Sequence, residues 1–167
     1  GSATLQVTIS DSSGNFATSE PFPITIVTGT IYVDRAATGD NSGSSWENAL
    51  THLQDALAIA PEGTDIWVAA GSHYPDEGAA VTANDRNATF QLKTGVALYG
   101  GFSANETELS QRNPDPATNG TILSGDLDQN DGEDFANNDN NAYHVLTGEN
   151  TGASTILDGF TITAGNA

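Results

Sequence analysis

Between residues 126 and 141 the chain reads Asp126-Leu127-Asp128-Gln129-Asn130-Asp131-Gly132-Glu133-Asp134 and, after two more residues, Asn137-Asn138-Asp139-Asn140-Asn141. Carboxylates and side-chain amides alternating around a glycine supply hard oxygen ligands, and a calcium ion takes roughly six to eight of these at about 2.4 Å. Asp126, Asp128, Asn130, Asp131 and Asp134 are the candidate metal ligands. The run departs from the EF-hand loop: Asp131 stands sixth, where that loop turns on glycine, Gly132 comes one later, and the twelfth position is Asn137 instead of glutamate. The plain alternative is a solvated acidic loop without an ion. A weaker set, Asp34 with Asp40 and Asn41, lies in a stretch that turn-forming Asx residues explain equally well.

The bulk chemistry points the same way. Against 22 carboxylates stand 4 bases, for a formal charge of −18. Such a surface repels phosphate backbones and anionic membranes and makes cations the expected partners. The same excess also keeps extracellular proteins soluble in salty water, with no specific ligand involved. With 0 cysteines, thiol chemistry and a disulfide scaffold are excluded, and His52, His73 and His144 are too scattered for a structural zinc site. The chain has 167 residues, 37% of them hydrophobic, which suffices for one principal core and a small appendage. It contains no apolar run of the roughly 18 residues that a membrane helix needs. Gly1-Ser2 reads as a cloning scar, so an export signal or an upstream domain would have been trimmed away.

The elements that must position these groups are mostly short strands. Thr4 to Ser10 alternates apolar with polar residues, Asp11 to Asn15 supplies turn residues, and Pro23 to Val27 resumes the strand pattern. Residues 1–29 thus form a hairpin, either the remnant of an upstream β-sandwich domain or an extra strand pair on the next domain. Residues 30–167 form the main unit. Ile31-Tyr32-Val33 opens it as a strand. Ser44-x-x-Glu47 then reads as a capping box before an apolar stripe at Trp46, Ala49, Leu50, Leu53, Ala56, Leu57 and Ala60. This predicts a helix over 45–60, ended by Pro61-x-Gly63.

Strand patterns follow at Asp65 to Gly71, Thr89 to Lys93 and Gly95 to Phe102. The word Thr-Ile-Leu-x-Gly occurs twice, at Thr121 to Gly125 and Thr155 to Gly159. Short β-branched runs punctuated by Gly and Asn are how a β-solenoid is written. The open apolar end of such a stack needs a cover, and the helix can supply it.

Several segments together resemble the start of secreted bacterial right-handed parallel β-helix proteins of the pectin-lyase-like superfamily. They are Ile31-Tyr32-Val33-Asp34, Gly43-Ser44-Ser45-Trp46-x-x-Ala49-Leu50, Ile66 to Pro75, Phe90 to Phe102, Gln111-Arg112-Asn113, Thr121 to Asp126, Tyr143-His144-Val145 and Leu157 to Ile162. The resemblance spans residues 31 to 167. It implies a mainly β fold: a short right-handed parallel β-helix, capped at its N-terminal end by one amphipathic α-helix and preceded by the hairpin. Adhesin-like and polymorphic outer-membrane proteins open in this way, as do some polysaccharide lyases and hydrolases, so the fold alone does not select an activity.

Lyases of that superfamily pair calcium with a base that abstracts a proton beside a uronate carboxylate. The bases here are Arg35, Arg86, Lys93 and Arg112, and they form no recognisable cluster. Related hydrolases need carboxylates on adjacent coils; Asp126, Asp128 and Asp158 are the candidates. Trp46, Trp67, Tyr74, Tyr99 and Tyr143 would offer a sugar-stacking platform, although such residues more often pack. His144 reads as an outward strand residue, and the sequons at Asn87, Asn105 and Asn119 read as chance.

The expectation is a non-catalytic extracellular or cell-surface module with a structural or adhesive role, stabilised by calcium. Its partners would be itself, through an open last coil, neighbouring domains of one large surface protein, or carbohydrate, and neither nucleic acid nor membrane. The alternative is the N-terminal part of a β-helix polysaccharide lyase or hydrolase, with no catalytic residue assignable here.

Overall fold

The computed structural model describes residues 29–167 throughout and, before them, the backbone of four short strands and the turn residue Ser13. Those strands are β1 (Ser2–Leu5), β2 (Thr8–Ser10), β3 (Phe16–Thr18) and β4 (Phe22–Thr25). β1 runs antiparallel to β4, with Ser2 opposite Thr25, and β2 antiparallel to β3, with Ser10 opposite Phe16. Both pairings are antiparallel; of the expected turn, Asp11, Ser12, Gly14 and Asn15 lie outside the described residues. Gln6, Val7, Ile26 and Val27, expected in the hairpin's strands, also lie outside the described residues.

From Thr30 onward the fold is mainly β with parallel pairing. The strands are β5 (Thr30–Val33), β6 (Asp65–Ala69), β7 (Gly71–His73), β8 (Phe90–Leu92), β9 (Ala97–Phe102), β10 (Thr121–Ser124), β11 (Leu146–Gly148), β12 (Ile156–Asp158) and β13 (Phe160–Thr163). They form three sheets, ordered β12-β9-β6-β5, β13-β10-β7 and β11-β8. From β6 onward the chain visits the first, second and third sheet in turn, then repeats that order through β9, β10 and β11 and begins it again with β12 and β13.

This register stacks like on like. Ile31, Ile66, Leu98 and Leu157 face one another across the first sheet, and Ile66 and Leu98 are fully buried. On its other face Tyr32, Trp67, Tyr99 and Asp158 stand in line. In the second sheet His73, Leu123 and Ile162 are aligned. The core joins Val33, Ile66, Val68, Phe90, Val96, Leu98, Leu123 and Val145 with Leu53, Ala56 and Leu57 of the helix.

That helix, α1, is shorter than its apolar stripe suggests: it spans Leu53–Ile59, with His52 at its N-cap. Ser44 and Glu47 form no capping box. Leu50 instead runs extended beside β5, its N–H donating to the Tyr32 carbonyl at 2.9 Å while its carbonyl accepts from Asp34 N–H at 2.9 Å. Backbone pairing with an existing strand outweighs a helix turn whose carbonyls would still need partners. Trp46 and Ala49 are thus buried or half-buried without being helical. The predicted stop holds: the backbone turns extended at Ala60, ahead of Pro61. α1 packs against β5 and β8. A second helix the sequence did not announce, α2 (Pro116–Asn119), is one turn long and capped by the Asp115 carboxylate, which accepts from Ala117 N–H.

The two copies of Thr-Ile-Leu-x-Gly do not stack on each other. Thr121 to Leu123 pair with Phe160 to Ile162, whereas Ile156 and Leu157 pair with Ala97 and Leu98 in a different sheet. Their glycines also differ. Gly159 has φ +82°, and a Cβ there would lie 2.6 Å from Arg112 Nη1 and 2.8 Å from the Gly100 carbonyl, so only glycine fits.

Candidate functional site

The acidic run leaves the sheets after β10 and returns before β11 as a loop closed at its base, where Ala142 N–H donates to the Gly125 carbonyl at 2.8 Å. Leu127 within the loop is buried. Inside it the Asp126 carboxylate accepts from the backbone of Asn130 at 3.0 Å and of Asp131 at 3.1 Å, four and five residues further on, and so ties the turn together. Asn140 Nδ2 donates to the Asp128 carboxylate. Asn137 Nδ2 donates to the Asn130 carbonyl at 2.9 Å. Gln129, Asp134, Phe135 and Asn137 all hold positive φ between 54° and 67°, so the loop is tightly wound.

Of the five candidate ligands, the fold therefore brings two together. Asp131 and Asp134 line one cleft of about 450 Å³ with Asn138 and Asn141, opposite Ala164 and Gly165 of the segment after β13. Asp126 and Asp128 are engaged within the loop, and Asn130 meets Asn137 through its main chain. Among the described residues no group of three or more carboxylates and histidines is placed to hold a metal ion. Asp34, Asp40 and Asn41 do not converge either; each binds a separate loop amide, of Ala36, Ser42 and Thr51.

The four bases are all engaged. Arg35 pairs with Glu77 and lies 5.3 Å from the Tyr74 ring centre. Arg86 donates to the carbonyls of Asn141 at 2.7 Å and Asn166 at 3.1 Å and lies 4.1 Å over Tyr143. Arg112 donates to the Gly100 carbonyl at 2.9 Å, pairs with Asp158 and lies 5.2 Å over Tyr99. Lys93 donates to the Ala58 carbonyl at 3.3 Å. Cation–π contact and carbonyl bonding make these side chains struts between loops and strands.

The five aromatics considered as a platform are dispersed. Trp46 and Trp67 pack with Tyr32 and Phe102, with ring centres 4.8 to 6.5 Å apart, and the Trp46 indole donates to the Glu106 carbonyl at 2.8 Å. Tyr74, Tyr99 and Tyr143 lie separately, each under its arginine. His144 is exposed, ahead of β11 instead of within it.

Two residues with no role of their own in the sequence reading turn out to be buried. His73 is buried on β7, its Nε2 3.3 Å from the Ala69 carbonyl and its Nδ1 without a partner; burial lowers its pKa to about 4. Asn141 is 1% exposed although it ends the most polar run of the chain. Hydropathy carries no signal for either, since each polar group is buried by its neighbours' pairing.

No protein-family model matches the chain, and no curated protein or solved structure is significantly similar to it.

Proposed function

We propose that residues 30–167 form a short right-handed parallel β-helix of the pectin-lyase-like type, closed at one end by α1, in a secreted or surface-exposed bacterial protein. Its role is structural or adhesive. The observation that carries the reading is the repeating order in which successive strands enter the three parallel sheets. The right hand is the one that parallel crossover connections take almost without exception. In support of a non-catalytic role, Arg35, Arg86, Lys93 and Arg112 are engaged in bonds that hold the fold, which leaves a lyase mechanism no obvious base. Calcium on the acidic loop belongs to the same reading, because outside cells calcium is on the order of millimolar and suffices for a weak site.

A second reading, part of a polysaccharide hydrolase or lyase, has one observation in its favour. Asp65 on β6 and Asp158 on β12 lie on the strands either side of Tyr99, and burial raises the Asp65 pKa, as a general acid requires. One experiment separates the two: incubation with polygalacturonate and alginate in millimolar calcium, following unsaturated uronate absorbance and reducing ends. No turnover is expected. Turnover that disappears in Asp65→Asn would install the enzyme reading.

A further inference from the structure

The cleft between the acidic loop and the segment after β13 is better equipped than the sequence run suggests, because it contains a buried acceptor with nothing to accept. Asn141 Nδ2 donates to Asp131 Oδ2 at 2.8 Å, which fixes the amide orientation. Its Oδ1 has no hydrogen-bond partner although the residue is 1% exposed. A buried amide oxygen left unpaired is costly and rare in folded proteins. Asp131 has its second carboxylate oxygen uncommitted, and among the described residues the exposed Asp134 carboxylate accepts no hydrogen bond at all. Asn138 lines the same cleft, and no basic side chain does.

We infer that this cleft binds a hard divalent cation, calcium by preference, through Asn141 Oδ1, Asp131, Asp134 and Asn138. The inference rests on the calcium part of the proposed function and replaces its ligand set: Asp126, Asp128 and Asn130 shape the loop and do not touch the ion. Neutral amide oxygen and carboxylate oxygen are the donor types calcium takes, and two carboxylates give the modest charge of a site working at roughly 0.1 to 1 mM, with water completing the shell. The ion also has a mechanical consequence. Asn166 already reaches back to the loop, its Nδ2 donating to the Asn138 carbonyl at 2.7 Å and its N–H to the Ala142 carbonyl at 2.9 Å. An ion held by the loop's own side chains would rigidify the surface on which Asn166 docks.

The test is thermal unfolding of the whole chain in EDTA, calcium chloride or magnesium chloride, with calorimetric titration of calcium chloride alone. Wild type gains roughly 3 to 6 °C in Tm at about ten times Kd, with one calcium per chain and a smaller response to magnesium. Asp134→Asn, which breaks no bond of the fold, and Asp131→Asn abolish most of that gain. Asp139→Asn, an exposed loop carboxylate outside the cleft, retains it. No calcium response in wild type would remove both this site and the calcium reading. A response that survives Asp134→Asn and Asp131→Asn but fails in Asp128→Asn would keep calcium and overturn this ligand set. An equal loss in Asp139→Asn would reduce the effect to screening of the net charge and overturn the site.

Discussion

Arg112 reaches from the loop after β9 to the carboxylate of Asp158 on β12, and on the way its Nη1 donates to the Gly100 carbonyl at 2.9 Å. The two partners are unequally dry: the Arg112 side chain is 12% exposed and that of Asp158 is 53% exposed. A half-exposed ion pair contributes at most about 1 kcal/mol, whereas a buried carbonyl that loses a charged donor costs more. Arg112→Gln should therefore destabilise by about 2 kcal/mol, lowering Tm by roughly 4 to 8 °C. Asp158→Asn should cost under about 1 kcal/mol. Equal losses in a denaturant titration would show that the ion pair, not the carbonyl bond, holds this strut.

Acid should act on the second sheet through His73. The imidazole faces inward in line with Leu123, and burial, opposed by the Ala69 carbonyl, brings its pKa from 6.5 to about 4; Arg35 lowers it a little further, and Glu77 and Asp34 raise it. The unfolded chain then takes up a proton that the folded chain refuses. Stability is fully present above pH 6.5, falls as pH drops from 6.5, and levels below about 4, a loss of roughly 3 kcal/mol. Most carboxylates titrate lower, so the diagnostic window is pH 6.5 to 5. His73→Gln should flatten the stability profile in that window; an unchanged slope would assign it to other groups.

Glycine requirements should be as local as the backbone indicates. Gly159→Ala meets a positive φ and two obstructed directions and should cost over about 2 kcal/mol. Gly152→Ala, with nothing within 4 Å of its Cβ, should be near neutral. Comparable urea midpoints for the two variants would refute the close approach of Gly159 to Gly100.

Several strands were legible from their own punctuation: Asp65 opens onto the buried run Ile66 to Ala69, and Gly95 onto buried Val96, Ala97 and Leu98, whereas β7 and β11 carried no such signal. The start of α1 was not legible, because Ser44 to Leu50 has a helix's spacing but is captured by β5, a partner far enough away in sequence that local pattern says nothing of it. Repetition misled for the same reason. Thr121 and Thr155 open matching words, yet one word joins the sheet of β7 and the other that of β9, a choice no residue of the word itself encodes. In the acidic loop the residue types were visible, whereas which carboxylates remain available depends on turns that only the fold reveals, as Asp126 and Asp134 illustrate.

Strands β12 and β13 each border their sheet: on β13 Ile162, beside the fully buried Leu123, is 49% exposed, and on β12 Ile156, on the face opposite to that of Leu157, is 39% exposed. Unpaired parallel edges beside exposed isoleucines form a template for another strand. The charge of −18 opposes a second copy at long range, and salt screens that repulsion while leaving the apolar contact intact. Association should therefore increase with salt, the reverse of a charge-driven contact. Sedimentation velocity at fixed protein concentration should show monomer at about 0.01 M salt, where the Debye length is about 30 Å, and a larger species at about 1 M, where it is about 3 Å. Ile162→Lys places a charge on the edge and should keep the chain monomeric throughout. A monomer at every salt concentration, or an Ile162→Lys variant that associates as wild type does, would locate the contact elsewhere or remove it.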